Sequence, residues 1–174
     1  MTTAERILAA AERRVRAAGY NGFSFRDLAE DVGIKSASVH HHFPTKAALV
    51  ARLAAEYTER FLRAVEDAPP GAARIEAYRR QFRASLEQDR QMCLCGMLGS
   101  ESLGLPEPVI LETRRFFEQT VAHLSEGLAT TPEASRARAI ALIARLEGAL
   151  IVARALDDLT AYDTAVAGLQ ESIY

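Results

Sequence analysis

The chain has 174 residues, 49% of them apolar, enough to bury a real core; no run of about 18 apolar residues occurs, which excludes a helical membrane span. The net charge of −2 does not by itself advertise nucleic acid, and two cysteines, Cys93 and Cys95, exclude a disulfide framework. The charge is unevenly placed: residues 1–50 carry seven Lys/Arg against five Asp/Glu, and residues 51–174 carry fourteen against eighteen, a basic head on an acidic body.

The opening Thr2-Thr3-Ala4-Glu5 is a capping box, and Ile7, Leu8, Ala11, Val15 and Ala18 recur at helical spacing. Gly19 ends this first helix, Tyr20-Asn21-Gly22 reads as a loop, and Phe23 as a core plug. Ser24 starts a second helix with Asp27 in its first turn; Leu28, Ala29 and Val32 form its inner face, and Gly33 stops it. A third helix runs from Lys35 or Ser36 to His42 and ends at Phe43-Pro44, because the residue before proline is pushed out of the helical region. Thr45 caps a long fourth helix to about Glu66.

Ala68-Pro69-Pro70-Gly71 is a break. Five further helices are expected at about 72–89, 92–103, 107–128, 132–157 and 161–173, with Pro106, Pro108 and Thr131-Pro132 marking starts. Nothing alternates with a period of two, so the fold class is all-α, about nine helices. The N-terminus lacks a basic and apolar signal segment, so a cytoplasmic protein is expected.

The stretch from Phe25 to Phe43 is two short helices joined by a turn containing Gly33. Ala29 is small where the helices approach, and Val32, Ile34 and Val39 pack between them. That arrangement leaves the second helix of the pair free to enter a major groove, with Lys35, Ser36 and Ser38 as a short polar face.

From Ile7 to Leu49 the sequence resembles the tetracycline-repressor (TetR) family of bacterial regulators. The resemblance rests on Gly19-Tyr20 at the end of the first helix and Ser24-Phe25-Arg26-Asp27-Leu28-Ala29 opening the second. It continues through the Val32-Gly33-Ile34 turn and His40-His41-His42-Phe43-Pro44-Thr45-Lys46. It implies a helix-turn-helix DNA-binding domain at 1–46 and a ligand-binding and dimerisation domain, a helical bundle, at 47–174. Carried over by position, Ser24 and Arg26 sit near phosphates, and Lys35, Ser36, Ala37 and Ser38 face bases. His40 stands where the family commonly shows a DNA-contacting tyrosine. His42 and Lys46 hold the backbone, together with the start of the fourth helix. The partners so implied are a double-stranded DNA operator, a small-molecule effector and a second copy of the chain. The function read is that of a ligand-responsive repressor that binds a palindromic operator as a dimer, with no cofactor.

Three other groups of residues carry expectations of their own. Tyr57, Phe61, Tyr78, Phe82, Cys93, Met97 and Phe117 recur on bundle helices as either core or the wall of an apolar effector pocket. Glu101 and Arg114 are the nearest charged candidates for a polar anchor, or else surface residues. The helix at 132–157 is apolar nearly all round. Ile140, Ala144, Gly148, Ile151 and Val152, aided by Val166 and Leu169 with Tyr162 and Ile173, therefore suggest self-association.

His40, His41 and His42 point in three directions, so no metal site is read from them. An all-α enzyme is one rival reading, but there is no nucleophile–base pair, Gly-rich phosphate loop or carboxylate pair, so no enzyme is expected. A thiol-based electrophile or redox sensor on the same scaffold is the other. Cys93 and Cys95 are poorly placed to bond each other, and a buried filler role is the commoner alternative.

Overall fold

The structure, a computed structural model, describes residues 1–89, 91–129 and 131–169. Among these residues it contains nine α-helices and no strand: α1 Thr3–Ala18, α2 Phe25–Val32, α3 Ser36–His42, α4 Lys46–Val65, α5 Ala72–Asp89, α6 Leu94–Ser100, α7 Glu107–Ser125, α8 Pro132–Leu156 and α9 Leu159–Ala165. Single 3₁₀ turns cover Tyr20–Gly22 and Ser102–Gly104.

The helix ends follow local backbone chemistry. Thr2 Oγ1 accepts from the Glu5 amide at 3.2 Å while Glu5 Oε2 accepts from the Thr2 amide at 2.7 Å, the expected capping box. Thr45 Oγ1 accepts from the Ala48 amide and Thr131 Oγ1 from the Ala134 amide, opening α4 and α8. Two expected helices are shorter than their sequence pattern. The segment at 92–103 is helical only over Leu94–Ser100 before the turn at Ser102. The last helix starts earlier than expected, at Leu159, where Asp158 caps it by accepting from the Thr160 amide. It stops at Ala165, and Gly168 takes a positive φ of 70° just beyond. Residues 170–173 of the expected helix, Ile173 among them, lie outside the described residues.

The described residues form two compact units. The first comprises Met1–Thr58 with Leu94–Phe116, and the second Glu59–Cys93 with Phe117–Tyr174. This division differs from an expected boundary between residues 46 and 47. The reason lies in α6, which packs on α1 although some 75 residues of chain separate them, and in α4, a continuous helix whose residues up to Thr58 belong to the first unit.

The core of the first unit holds Ile7, Leu8, Ala11, Val15, Phe23, Leu28, Val39, Phe43, Leu49 and Leu53, all buried. Each fully buried large side chain contributes roughly 1.5–3 kcal/mol. The core of the second unit is built from α5, α8 and α9, with α8 against both partners. Phe61, Tyr78 and Phe82 meet edge to face, with ring centroids 5.5 and 5.3 Å apart. Arg83 and Arg79 on α5 bind Asp163 on α9, Arg83 through a two-pronged pair at 2.8 and 2.9 Å.

Arg74 closes the second unit. It is 5% exposed, and it donates to the Ala68 carbonyl, the His123 carbonyl and Glu126 Oε2 at 3.0, 2.7 and 2.6 Å. One guanidinium thus fastens the Pro69-Pro70 bend to the end of α7. Arg74→Ala leaves the two part-buried carbonyls without this donor, so a loss of about 1–3 kcal/mol is expected in chemical denaturation. A variant within about 0.5 kcal/mol of wild type would show that water replaces the guanidinium.

Candidate nucleic-acid interface

The helix-turn-helix of the first unit is assembled from α1, α2 and α3. Ser24 caps α2: its hydroxyl accepts from the Asp27 amide and donates to Asp27 Oδ2 at 2.7 Å, and its own amide donates to Asp27 Oδ2 at 2.6 Å. These bonds hold the exposed Asp27 carboxyl below its usual range. Gly33 ends α2 in the left-handed region, φ 71° and ψ 42°, with its amide on the Ala29 and Glu30 carbonyls. The Ile34 amide returns to the Ala29 carbonyl at 2.9 Å, which fixes the direction in which α3 leaves.

Leu28, Ala29, Val32 and Val39 are buried, so α2 and α3 are locked through their apolar sides. Arg14 on α1 grips Asp31 at the end of α2 through two parallel bonds of 2.8 and 2.7 Å, which raises the Arg14 pKa and lowers that of Asp31.

With those sides spent, the remaining face of α3 is open. Lys35, Ser36, Ala37, His40 and His42 are exposed and Ser38 is half-buried; Arg26, on α2, is also exposed. Lys35 stands at the helix start in extended backbone. The His40 ring meets Phe25 edge-on at 4.7 Å, which orients the imidazole at the place where the resemblance implies a tyrosine. His41 and His42 are neighbours at 5.5 Å, and among the described residues no group of three His, Cys, Asp or Glu is placed to hold a metal.

Two of the expected backbone-holding residues carry structural duties. The Ser24 hydroxyl is engaged in its capping box. Lys46 is half-buried, its ammonium 4.7 Å above the Tyr20 ring and 4.2 Å above the Phe23 ring while it donates to the Phe23 carbonyl. Burial lowers the Lys46 pKa, opposed by the nearby charges of Asp27 and Glu101.

Glu101 completes this corner. Its Oε2 accepts from the Tyr20 amide at 2.7 Å, so the turn after α6 holds the turn after α1. In the sequence, Glu101 reads as a ligand anchor or a surface residue. Only the Tyr20/Phe23 spacing ahead of Lys46 hints at the cage, and nothing in the sequence pairs residue 101 with residue 20.

The pocket candidates separate. Tyr57 lies in the first unit against Phe116, with centroids 5.8 Å apart, and Met97 is half-buried on α6. Phe61, Tyr78 and Phe82 form the aromatic core cluster of the second unit, where Phe117 is half-buried. A cleft of about 140 Å³ in that unit is lined by Ile75, Leu128, Leu142, Leu169, Arg138 and Arg145.

Cys93 is fully buried in the second unit, with its thiol against the Glu147 carboxylate. Burial pushes Glu147 from an ordinary value of 4.5 up to about 7, a rise the Cys93 contact opposes. Cys95 is fully buried in the first unit. A carboxylate neighbour offers Cys93 no positive charge to stabilise a thiolate, so a buried filler fits this cysteine better than a reactive sensor.

Because the folded-state pKa of Glu147 lies above the unfolded one, its stabilisation is full below about pH 4.5 and is lost as pH rises through 7. Glu147→Gln is expected to remove a fall in stability of roughly 2–3 kcal/mol between pH 5 and 8, seen by comparing urea midpoints of the two proteins. Parallel pH profiles would contradict the buried carboxyl.

On α8, Ile140, Ala144, Ile151, Val152 and Leu156 are exposed and lie on one stripe with Gly148, whose added Cβ would meet no atom within 4 Å. Val166 and Leu169 sit 2% exposed inside their own unit, beneath rather than on that stripe. Among the described residues no helix is long and apolar enough to cross a membrane.

Residues 7–53 match the family model for bacterial regulatory proteins of the tetR family. No functionally curated protein matches the sequence significantly. Among solved structures, a TetR transcriptional regulator from Legionella pneumophila is 31% identical, with 100% of this chain and 98% of that one covered at a TM-score of 0.89. A TetR-family regulator from Agrobacterium tumefaciens is 30% identical over 97% of this chain and 95% of its own, TM-score 0.84. A regulatory protein TetR from Rhodobacter sphaeroides, at 18% identity and TM-score 0.85, shares the fold. The open α3 face on a helix-turn-helix and full-length likeness at 30% identity converge: the chain belongs to the tetR family of bacterial transcriptional regulators.

Proposed function

We propose that the chain is a repressor that binds a two-fold-symmetric operator as a homodimer and is released by a small-molecule effector held in the second unit. The exposed face of α3, with Lys35, Ser36, Ala37 and Ser38 leading and His40 and His42 behind, carries the DNA-binding part of this reading. Small side chains let the backbone approach the base edges, and the Lys35 ammonium meets phosphate. One seven-residue helix touches too few base pairs for useful specificity, so two heads are required. The exposed apolar stripe on α8 supports the second copy: it extends about 24 Å along the helix, more apolar surface than a soluble monomer normally leaves open.

The test is selection of genomic fragments by the purified protein. The expected outcome is enrichment of an inverted repeat, with affinity that falls steeply with salt as counterions are released. Ser36→Glu places a carboxylate where phosphate must approach; it is expected to abolish retention while leaving the Tm unchanged. Selected fragments without two-fold symmetry, or a Ser36→Glu protein that binds normally, would overturn the reading.

A further inference from the structure

Arg138, Ala141, Leu142 and Arg145 recur at spacings of three and four, so they share one face of α8. That face forms one wall of the cleft of about 140 Å³. The floor is apolar: Leu142 is joined by Ile75 of α5, Leu128 from the turn before α8 and Leu169 just beyond α9, all buried. Ala141 is exposed at the mouth. Every lining residue belongs to the second unit.

The two arginines are seated before any ligand arrives. Arg145 donates from Nε to the Ala165 carbonyl at 2.6 Å and from Nη2 to the Ala167 carbonyl at 2.9 Å. Arg138 donates from Nη1 to the Leu128 carbonyl at 2.7 Å. These acceptors are neutral, so the bonds fix each guanidinium without cancelling its charge. A guanidinium carries five N–H donors, and Arg145 spends two of them on these carbonyls. Fixed cations beside an apolar floor call for an anion with an apolar body, and the ordering cost of the side chains is already met.

Volume narrows the body. An aliphatic cavity of about 150 Å³ takes a benzene ring, so this cleft holds one ring rather than a fused polycycle. Geometry narrows the anion, because the planar fork of arginine matches a carboxylate. We propose that the cleft binds a small single-ring monocarboxylate, its ring on Ile75, Leu128, Leu142 and Leu169 and its carboxylate on Arg145, and that such an acid is the effector class of this regulator. Arg138 adds a second positive charge that favours anions over cations. The site stands on the cleft itself; only its consequence for DNA rests on the effector-release reading above. The ligand wall and the exposed row Ile140, Ala144 and Ile151 belong to the same helix, so an occupant acts on the surface assigned to the second copy.

The experiment is calorimetric titration of the full-length protein, without DNA, with benzoate. Benzyl alcohol and benzylamine serve as neutral and cationic probes of matched shape. Benzoate is expected to bind about ten- to a hundredfold more tightly than benzyl alcohol, the worth of a charge-assisted hydrogen bond, with benzylamine excluded. Added salt should weaken benzoate and leave the alcohol unchanged. Arg145→Gln is expected to erase the preference for benzoate while the alcohol still binds, a change that a purely structural role would not produce. Ala141→Phe fills the mouth from an exposed position and should abolish binding of both probes at an unchanged Tm.

Absence of benzoate binding, equal binding of benzoate and alcohol, or an unaltered preference in Arg145→Gln would each overturn the proposal. So would an Ala141→Phe protein that binds benzoate as wild type does. Benzoate that binds with the expected preference but leaves operator affinity unchanged would overturn its role as effector and leave the site standing. Operator selection uses no ligand, so failure of the benzoate titration leaves the DNA-binding result intact.

Discussion

Gly148→Arg is expected to separate folding from function. Gly148 lies on α8 in open space, with no atom within 4 Å of an added Cβ, so the larger side chain meets nothing in its own chain. Arginine is the better helix former by roughly 0.8 kcal/mol, and the isolated chain should be at least as stable as wild type. The substitution sits in the middle of the exposed row Ile140, Ala144, Ile151, Val152 and Leu156. A charged side chain there holds a partner helix away and must lose its hydration to be covered.

Two heads on one dimer bind with an effective concentration that a free head lacks, worth about 10²–10⁴ in apparent affinity. Gly148→Arg should forfeit that factor. Light scattering and an operator titration read the two effects together: a folded monomer with at least hundredfold weaker binding is expected. A Gly148→Arg dimer that binds normally would place the interface elsewhere. Gly148→Ala is the control. It fits the same space and should raise the Tm without changing the assembly.

Gly19→Ala is expected to be the most damaging small substitution in the first unit. Gly19 holds φ 75° and ψ −174°, a region essentially closed to residues with a Cβ. An added Cβ would also stand 1.9 Å from Glu101 Oε1 and 2.6 Å from its carboxyl carbon. The backbone strain costs about 1–3 kcal/mol. Displacing Glu101 leaves the Tyr20 amide without its 2.7 Å acceptor, which adds about 1 kcal/mol.

The combined loss predicts a Tm lower by on the order of 5–15 °C. Operator affinity should fall as well, because the Tyr20 ring is part of the seat of Lys46. Glu101→Ala removes the obstacle but not the strained φ, so the double variant should lose less than the sum of the singles. Wild-type stability in Gly19→Ala would mean that the turn relaxes without cost.

Gly19 and Gly33 are legible as helix stops, and so are the caps at Thr2, Ser24, Thr45 and Thr131, because each depends on a few adjacent residues. The same locality makes the helix-turn-helix readable: Ala29, Val32 and Val39 are spaced to lock two helices, and the polar residues left over define the outer face. Glu101 illustrates what is not legible. Its partner is 81 residues away, and no periodicity records a single long-range hydrogen bond. Lys46 shows the same limit, since a lysine in the first turn of a long helix fits a phosphate contact and an aromatic seat equally well by position.

Periodicity also merged two kinds of aromatic. Phe61, Tyr78 and Phe82 recur as pocket walls would, yet they meet one another edge to face as core. Glu147, whose carboxylate is buried, looks in sequence like one polar position on an apolar helix. The exposed stripe on α8 is partly visible in the sequence. The excess of apolar residues on α8 implied more than one covered face, but the division of Ile140 and Ile151 to the outside from Val166 and Leu169 to the inside depends on where α9 packs.

Sedimentation of the protein on the duplex it selects is the most direct test that two copies read one operator through α3. The expected result is two chains per duplex on the full inverted repeat, with a duplex carrying one half-site bound at least a hundredfold more weakly. One chain per duplex, or equal affinity for the half-site, would contradict it.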